Sequence, residues 1–300
     1  MSRPSPLLTM VVGAGIAATS VSGCSHSAPT TPSASTTSSA TPAARTGTYA
    51  PQVVLPIGRF INHLAGLAVD TGGVTYTLDS YYGKVWKFAP GVNPNQLPFD
   101  DLGQPTDVAV DTGGDVYVID NHGGRVLKLQ SGAATPTVLP FSGLTKPGGL
   151  AVDGADNLYV CDFGNNQVLK LAPGATSPSA LPFPDLKQPT KVAADAAGNL
   201  YVSELGTHQV LKLAPGASGP SVLPLPGVKS PAALATDAAG NLYVGDFGTN
   251  QVLKLVAGTD TPSVLPFTGL NHPGEVAVDS AGNVYVLDEL NFRVLKLPAR

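Results

Sequence analysis

GLAVDGADNLYVCDFGNNQVLKLAPGATSPSALPF, residues 149–183, holds four short apolar stretches separated by turn residues. Gly149-Leu150-Ala151-Val152 alternates and ends in the turn Asp153-Gly154-Ala155-Asp156-Asn157. Leu158-Tyr159-Val160-Cys161 and Gln167-Val168-Leu169-Lys170-Leu171 come next. After Ala172-Pro173-Gly174, Ser179-Ala180-Leu181-Pro182-Phe183 supplies the fourth. Short strands bounded by Gly, Pro, Asn and Asp predict a four-stranded antiparallel unit.

The aspartate that closes the first stretch recurs at Asp70, Asp111, Asp153, Asp195, Asp237 and Asp279, with gaps of 41, 42, 42, 42 and 42 residues. A unit of this length cannot bury its own apolar faces and must stack on neighbours. Tyr76, Tyr117, Tyr159, Tyr201, Tyr243 and Tyr285 share one register of the second stretch, flanked mostly by Val or Leu. Both faces are therefore apolar, as in a blade held between two others. The last copy stops after Arg293-Val294-Leu295-Lys296-Leu297, without a fourth strand, whereas Gln52-Val53-Val54-Leu55-Pro56-Ile57 is a fourth strand with no blade before it. Pairing the two predicts an all-β, six-bladed β-propeller over residues 51–300, closed by its N-terminal strand and leaving no open sheet edge. An open solenoid is the other arrangement such repeats allow. A sealed ring of this kind is expected to be monomeric.

Residues 1–23 have the form of a leader: Arg3, then a short small-residue apolar run from Leu7 to Val21, too short for a stable span. Val21-Ser22-Gly23-Cys24 resembles the bacterial lipoprotein box, which implies lipidation at Cys24 and a membrane anchor without a spanning helix. An ordinary leader cut nearby would leave Cys24 incidental. Residues 24–50 are Ser, Thr, Pro and Ala with few large apolar side chains, a composition expected of a flexible tether. Without the leader, 16 Lys and Arg face 21 Asp and Glu, a net charge of −5, which argues against nucleic acid as a partner. Cys161, the other cysteine, is expected to be a small buried residue.

The pattern G-N-x-Y-V-x-D followed by N-[RQ]-V-L-K-L, as in Gly240–Asp246 and Asn250–Leu255, resembles the NHL repeat. The V-L-P-F-x-G-L variant at Val264–Leu270 is similar to the extracellular sensor domain of the mycobacterial receptor serine/threonine protein kinase D. That resemblance implies an exported NHL propeller that binds a ligand or protein. The chain lacks a Gly-rich phosphate loop and H-R-D, so no kinase activity is expected from it.

Register comparison then yields site candidates. The loops entering the first strands and those joining strands two and three share one face. After the second acidic residue of each copy come Ser80, Asn121, Phe163, Leu205, Phe247 and Glu289; four positions on come Lys84, Arg125, Gln167, Gln209, Gln251 and Arg293. At the start of the first strand stand Asp107, Lys191 and Glu275 in blades two, four and six. These suggest a charged sector on blades six, one and two (Lys84, Arg125, Arg293, Asp107, Glu275) and an apolar sector on blades three to five (Phe163, Leu205, Phe247). Such a face suits an envelope protein, a peptide or a glycan fragment. Alternatively, the apolar residues tuck against neighbouring blades and the charges are merely solvated.

An enzymatic alternative is a metal-dependent lyase or lactonase. His63, His122 and His272 could hold Zn²⁺ with an open position, with Glu275 as base. Against it, the histidines sit in loops without a metal-ligand spacing. His208 and His26 are taken as bystanders. The D-x-x-G-N turns lack the alternating carboxylates of a Ca²⁺ loop and fit Asp-capped hairpins. The second ring of acids, Asp79, Asp120, Asp162, Glu204, Asp246 and Asp288, points to loop capping. The third-strand lysines, Lys87 to Lys296, are expected to be solvated. The preferred expectation is a lipid-anchored, exported binding or sensor module without catalytic residues and without a cofactor.

Overall fold

The computed structural model describes residues 48–57, 61 and 63–300. The expected leader, Cys24 and the tether up to residue 47 lie outside the described residues. Six antiparallel sheets of four strands each are arranged around an axis. The inner strands are Leu64–Val69, Pro105–Val110, Pro147–Val152, Pro189–Ala194, Pro231–Thr236 and Pro273–Val278. Each packs beside the inner strand of the next blade, and the first packs on the last. The chain is thus a closed six-bladed β-propeller, as its periodicity predicts. Among the described residues no helix is long and apolar enough to cross a membrane.

Closure is made by Val53–Val54, which pairs antiparallel with Arg293–Leu297, Val53 opposite Lys296 and Val54 opposite Leu295. The pairing extends into the segment expected to be tether: Tyr49 bridges Ala299, and the Arg300 amide donates to the Thr48 carbonyl. Backbone groups at Pro298–Arg300 offer partners to any extended strand, so side-chain composition alone misplaces this boundary. Ile57, which follows the latch, is 1% exposed and joins the core between blades six and one.

Each second strand, for example Leu158–Asp162, is buried at all five positions. At its start stands a corner repeated in every blade. The Tyr hydroxyl donates to the Asp at the end of the inner strand, at 2.9 Å for Tyr201 and Asp195 and 3.3 Å for Tyr76 and Asp70. The other oxygen of that Asp accepts two turn amides, Ala197 and Asn199 in blade four. The Asp-capped hairpins are therefore as expected. The third-strand lysines are not simply solvated: Lys87, Lys128, Lys170, Lys212, Lys254 and Lys296 lie 5.0–5.6 Å from the centroids of the six tyrosine rings. Cross-strand pairing, such as Tyr159 with Lys170, sets each ammonium over a ring face.

The second ring of acids caps loops within its own blade. Asp120 accepts the Gly103 and Gln104 amides, Asp162 the Thr145 amide, and Asp288 the Asn271 amide. These bonds fix the loops that enter the inner strands, and so they fix the rim of the axial opening.

Candidate functional site

Four residues before each inner-strand aspartate the chain reads Gly66, Asp107, Gly149, Lys191, Ala233 and Glu275. Charged residues stand in the even blades and small ones in the odd blades. A bulge in each inner strand, such as the shift between Pro105 and Asp107, re-aims the chain where this ring forms. Lys191 Nζ lies 3.1 Å from Asp107 Oδ2 and also hydrogen-bonds Glu275 Oε1. Asp107 is held further by the Val108 amide at 2.9 Å and by the Leu150 amide of blade three at 3.0 Å. The small residues make room for this convergence: a Cβ at Gly149 would sit 2.6 Å from the Thr190 carbonyl oxygen and 2.9 Å from Lys191 Cα. Cys161, opposite Gly149 in the sheet, is fully buried, and burial pushes its thiol well above the usual range.

The electrostatics follow from this burial. Desolvation alone would lower the Lys191 ammonium, but Asp107 and Glu275 outweigh it and hold it above its ordinary value. Burial pushes Glu275 up to about 8, with Asp107 adding to the effect and Lys191 opposing it. Burial also raises Glu289, against the pull of Lys191 and His272. Lys191 is thus held as a cation between the two carboxyls, and Glu275 keeps its proton well above the ordinary glutamate range.

The ring separates two spaces. Beneath it runs an axial channel of about 170 Å³ lined by aliphatic residues of the inner strands, including Leu67, Val108, Leu150 and Val276. Above it opens a mouth of about 300 Å³. Its floor is Lys191 and Glu275, and its wall includes Leu205, Phe247 and Glu289, which occupy one register in blades four, five and six. Leu205 is exposed, and the Phe247 ring meets His272 edge-on with centroids 5.1 Å apart. Apolar and acidic groups therefore line one mouth rather than two opposed sectors.

The other candidates do not line the mouth. Arg125 Nε and Nη2 donate to Asp120 Oδ2 at 3.0 and 2.9 Å, and Nη2 reaches the Asp101 carbonyl. Arg293 Nε donates to Asp288 Oδ2 and its Nη2 to the Gly269 carbonyl, while Gln167 Nε2 donates to Asp162 Oδ2. These side chains clamp their own blades. Lys84 opens its strand opposite Asp79. Phe163 is half-buried, begins a short 3₁₀ turn, Phe163–Asn165, and is not among the residues lining the mouth. His63 stacks near Tyr81 at 5.4 Å, His122 lies against Gly103, and His272 Nδ1 is 3.2 Å from Asn271 Oδ1. Each imidazole has its own neighbour. Among the described residues no group of three His, Cys, Asp or Glu side chains is disposed to hold a metal ion. Sequence comparison left Lys191 and Glu289 out of the candidate site, although the alternation of small and charged residues along the ring register signalled the first.

The family described as the NHL repeat matches residues 102–129 and 144–171, within blades two and three. Two consecutive blades thus match the NHL repeat. No curated protein matches the sequence significantly. Among solved structures, this propeller resembles a streptogramin B lyase, with 13% identity, 83% of this chain and 97% of that one covered, and a TM-score of 0.64. It also resembles a gluconolactonase from Xanthomonas campestris, with 14% identity, 80% and 87% covered, and a TM-score of 0.66. A chain of the nidogen/laminin complex is 25% identical, with 67% and 79% covered and a TM-score of 0.59. The first two likenesses speak for the fold alone.

Proposed function

We propose that the propeller is a non-catalytic binding module whose mouth receives a peptide segment of a partner protein with an apolar anchor and a polar flank. The observation that carries this reading is the meeting of Leu205 and Phe247 with Glu275, Glu289 and Lys191 at the axial end of rigid strands. Apolar wall beside fixed charge gives both burial and orientation to a bound segment. The structure of similar fold in the nidogen/laminin complex supports the same reading, being a chain from an assembly of two proteins. We place the module at the cell envelope, exported and anchored through lipid at Cys24, on the strength of the leader and lipoprotein-box sequence. Incorporation of labelled palmitate that is lost in Cys24→Ala is the result expected for that anchor.

A random peptide library selected on the full chain tests the mouth. Peptides enriched on the native protein should lose binding to the double variant Leu205→Ser/Phe247→Ser while its thermal midpoint stays within a few degrees. Retained binding would move the site off the mouth. The lyase and lactonase alternative rests on likeness of fold; a midpoint raised by Zn²⁺ or Ca²⁺ and lost in His63→Ala/His272→Ala is what it requires.

A further inference from the structure

On the face bearing the Asp-capped turns, a cavity recurs between adjacent blades. Between blades one and two it measures about 250 Å³, with Tyr76 and Lys87 on one side and Val116 and Leu129 on the other. Between blades two and three it is again about 250 Å³, with Tyr117, Lys128, Leu158 and Leu171 in the same places. At the seam between blades six and one the equivalent cavity, with Tyr285, Lys296, Thr75 and Phe88 in those registers, reaches about 730 Å³. Two features distinguish it. Thr75 stands where the other blades carry Val116, Leu158, Leu200, Leu242 and Val284. The adjoining wall is the latch segment Leu55–Ile57, not a hairpin of blade six.

We propose that this seam cavity is a second binding site, for a small molecule with an apolar body and an anionic head group. The volume suits one such ligand, whereas the sister cavities are too small. Leu55, Ile57, Phe88 and Val92 give the body an apolar bed. Lys296 is the one charged side chain among the described lining residues. Its nearest anionic oxygen, Asp279 Oδ2, is 3.9 Å away and already accepts the Tyr285 hydroxyl at 2.9 Å and Asn283 Nδ2 at 2.6 Å. The ammonium therefore keeps donors for a ligand's carboxylate or phosphate.

The protein carries its own reporter. Trp86, the sole tryptophan, has its ring centroid 6.5 Å from that of Phe88. Titration of the full chain with dodecanoate, below its micellar concentration, should change Trp86 emission saturably, and dodecylamine should bind at least tenfold more weakly. Thr75→Leu, which installs the side chain other blades hold at this register, should weaken dodecanoate binding at least tenfold. Lys296→Gln should abolish the preference for the anion and covers the case in which Thr75→Leu does not fold. No saturable change, or binding unaltered by either variant, overturns the proposal. Equal binding of acid and amine overturns its anionic-head component.

Discussion

Lys191 Nζ reaches across the axis to Asp107 Oδ2 at 3.1 Å, joining blades four and two, which share no sheet and are separated in the ring by blade three. With Glu275 from blade six it makes a three-point brace among alternate blades. Replacing Lys191 by Ala leaves two buried carboxyls without their cation. The loss expected is about 3–5 kcal/mol in urea unfolding, the cost of breaking a buried pair from one side. The triple variant Asp107→Leu/Lys191→Met/Glu275→Leu should recover most of that stability, because desolvation offsets much of what a buried ion pair contributes. A triple variant as unstable as the single one would show that the brace itself stabilises the ring.

Glu275 gives the brace a pH dependence. Unfolded, it releases its proton near the ordinary glutamate value of about 4.3; folded, it holds the proton up to about 8. Between these values the native state binds more protons, so stability falls as pH rises. Glu289, raised in the same direction, adds to the trend. The lowered carboxyls, Asp115, Asp120, Asp153 and Asp237, act only at the acid end. The urea midpoint of the native protein should therefore decline from pH 5 to pH 8.5. Glu275→Gln should flatten that decline, and the difference between the two curves isolates this one carboxyl from Lys191, Asp107, Glu289 and His272 around it.

The architecture was legible because one pattern written six times at a fixed interval leaves little choice of stacking, and because the unpaired strand at residues 52–57 matched the one missing after Leu297. The site was legible only in part. Register comparison assigns a residue to a face of the propeller, and so it brought Leu205, Phe247 and Glu275 to the same end. It does not give reach. Arg125 and Arg293 stand opposite Asp120 and Asp288 in the sheet, and a cross-strand partner captures such a side chain before any ligand can. Attention to hairpin pairing, in addition to loop position, would have removed both from the candidate site. Lys191 presents the converse case: its partners lie 84 residues away in each direction, at Asp107 and Glu275, and no local pattern pairs them.

The tyrosine corner makes a graded prediction. In Tyr201→Phe, Asp195 loses one donor and keeps its turn amides, so a loss of about 0.5–1.5 kcal/mol is expected. Asp195→Ala also leaves the Ala197 and Asn199 amides and the Tyr201 hydroxyl without their acceptor, and should cost more. Tyr76→Phe should cost less, since its contact with Asp70 is the longest of the six at 3.3 Å. Chemical unfolding of the three variants ranks them, and Tyr201→Phe as costly as Asp195→Ala would show that the hydroxyl, not the turn capping, fixes the corner.

The latch is the point at which the ring is most exposed to test. Val53 and Val54 pair with Lys296 and Leu295, the Leu55 amide donates to the Val294 carbonyl, and Gln52 exchanges hydrogen bonds with Thr268. Removing residues 52–57 strips the outer strand from blade six and uncovers its edge. It also empties the place of Ile57, for which truncation to Ala alone is expected to cost about 2–5 kcal/mol. Limited proteolysis should then cut within Pro273–Leu297, and a peptide spanning residues 48–57 added in excess should restore resistance by occupying the vacated edge. Equal resistance to heat and protease with and without the segment would mean that the toroid is held shut by the inner strands alone, through the contact of Leu64–Val69 with Pro273–Val278.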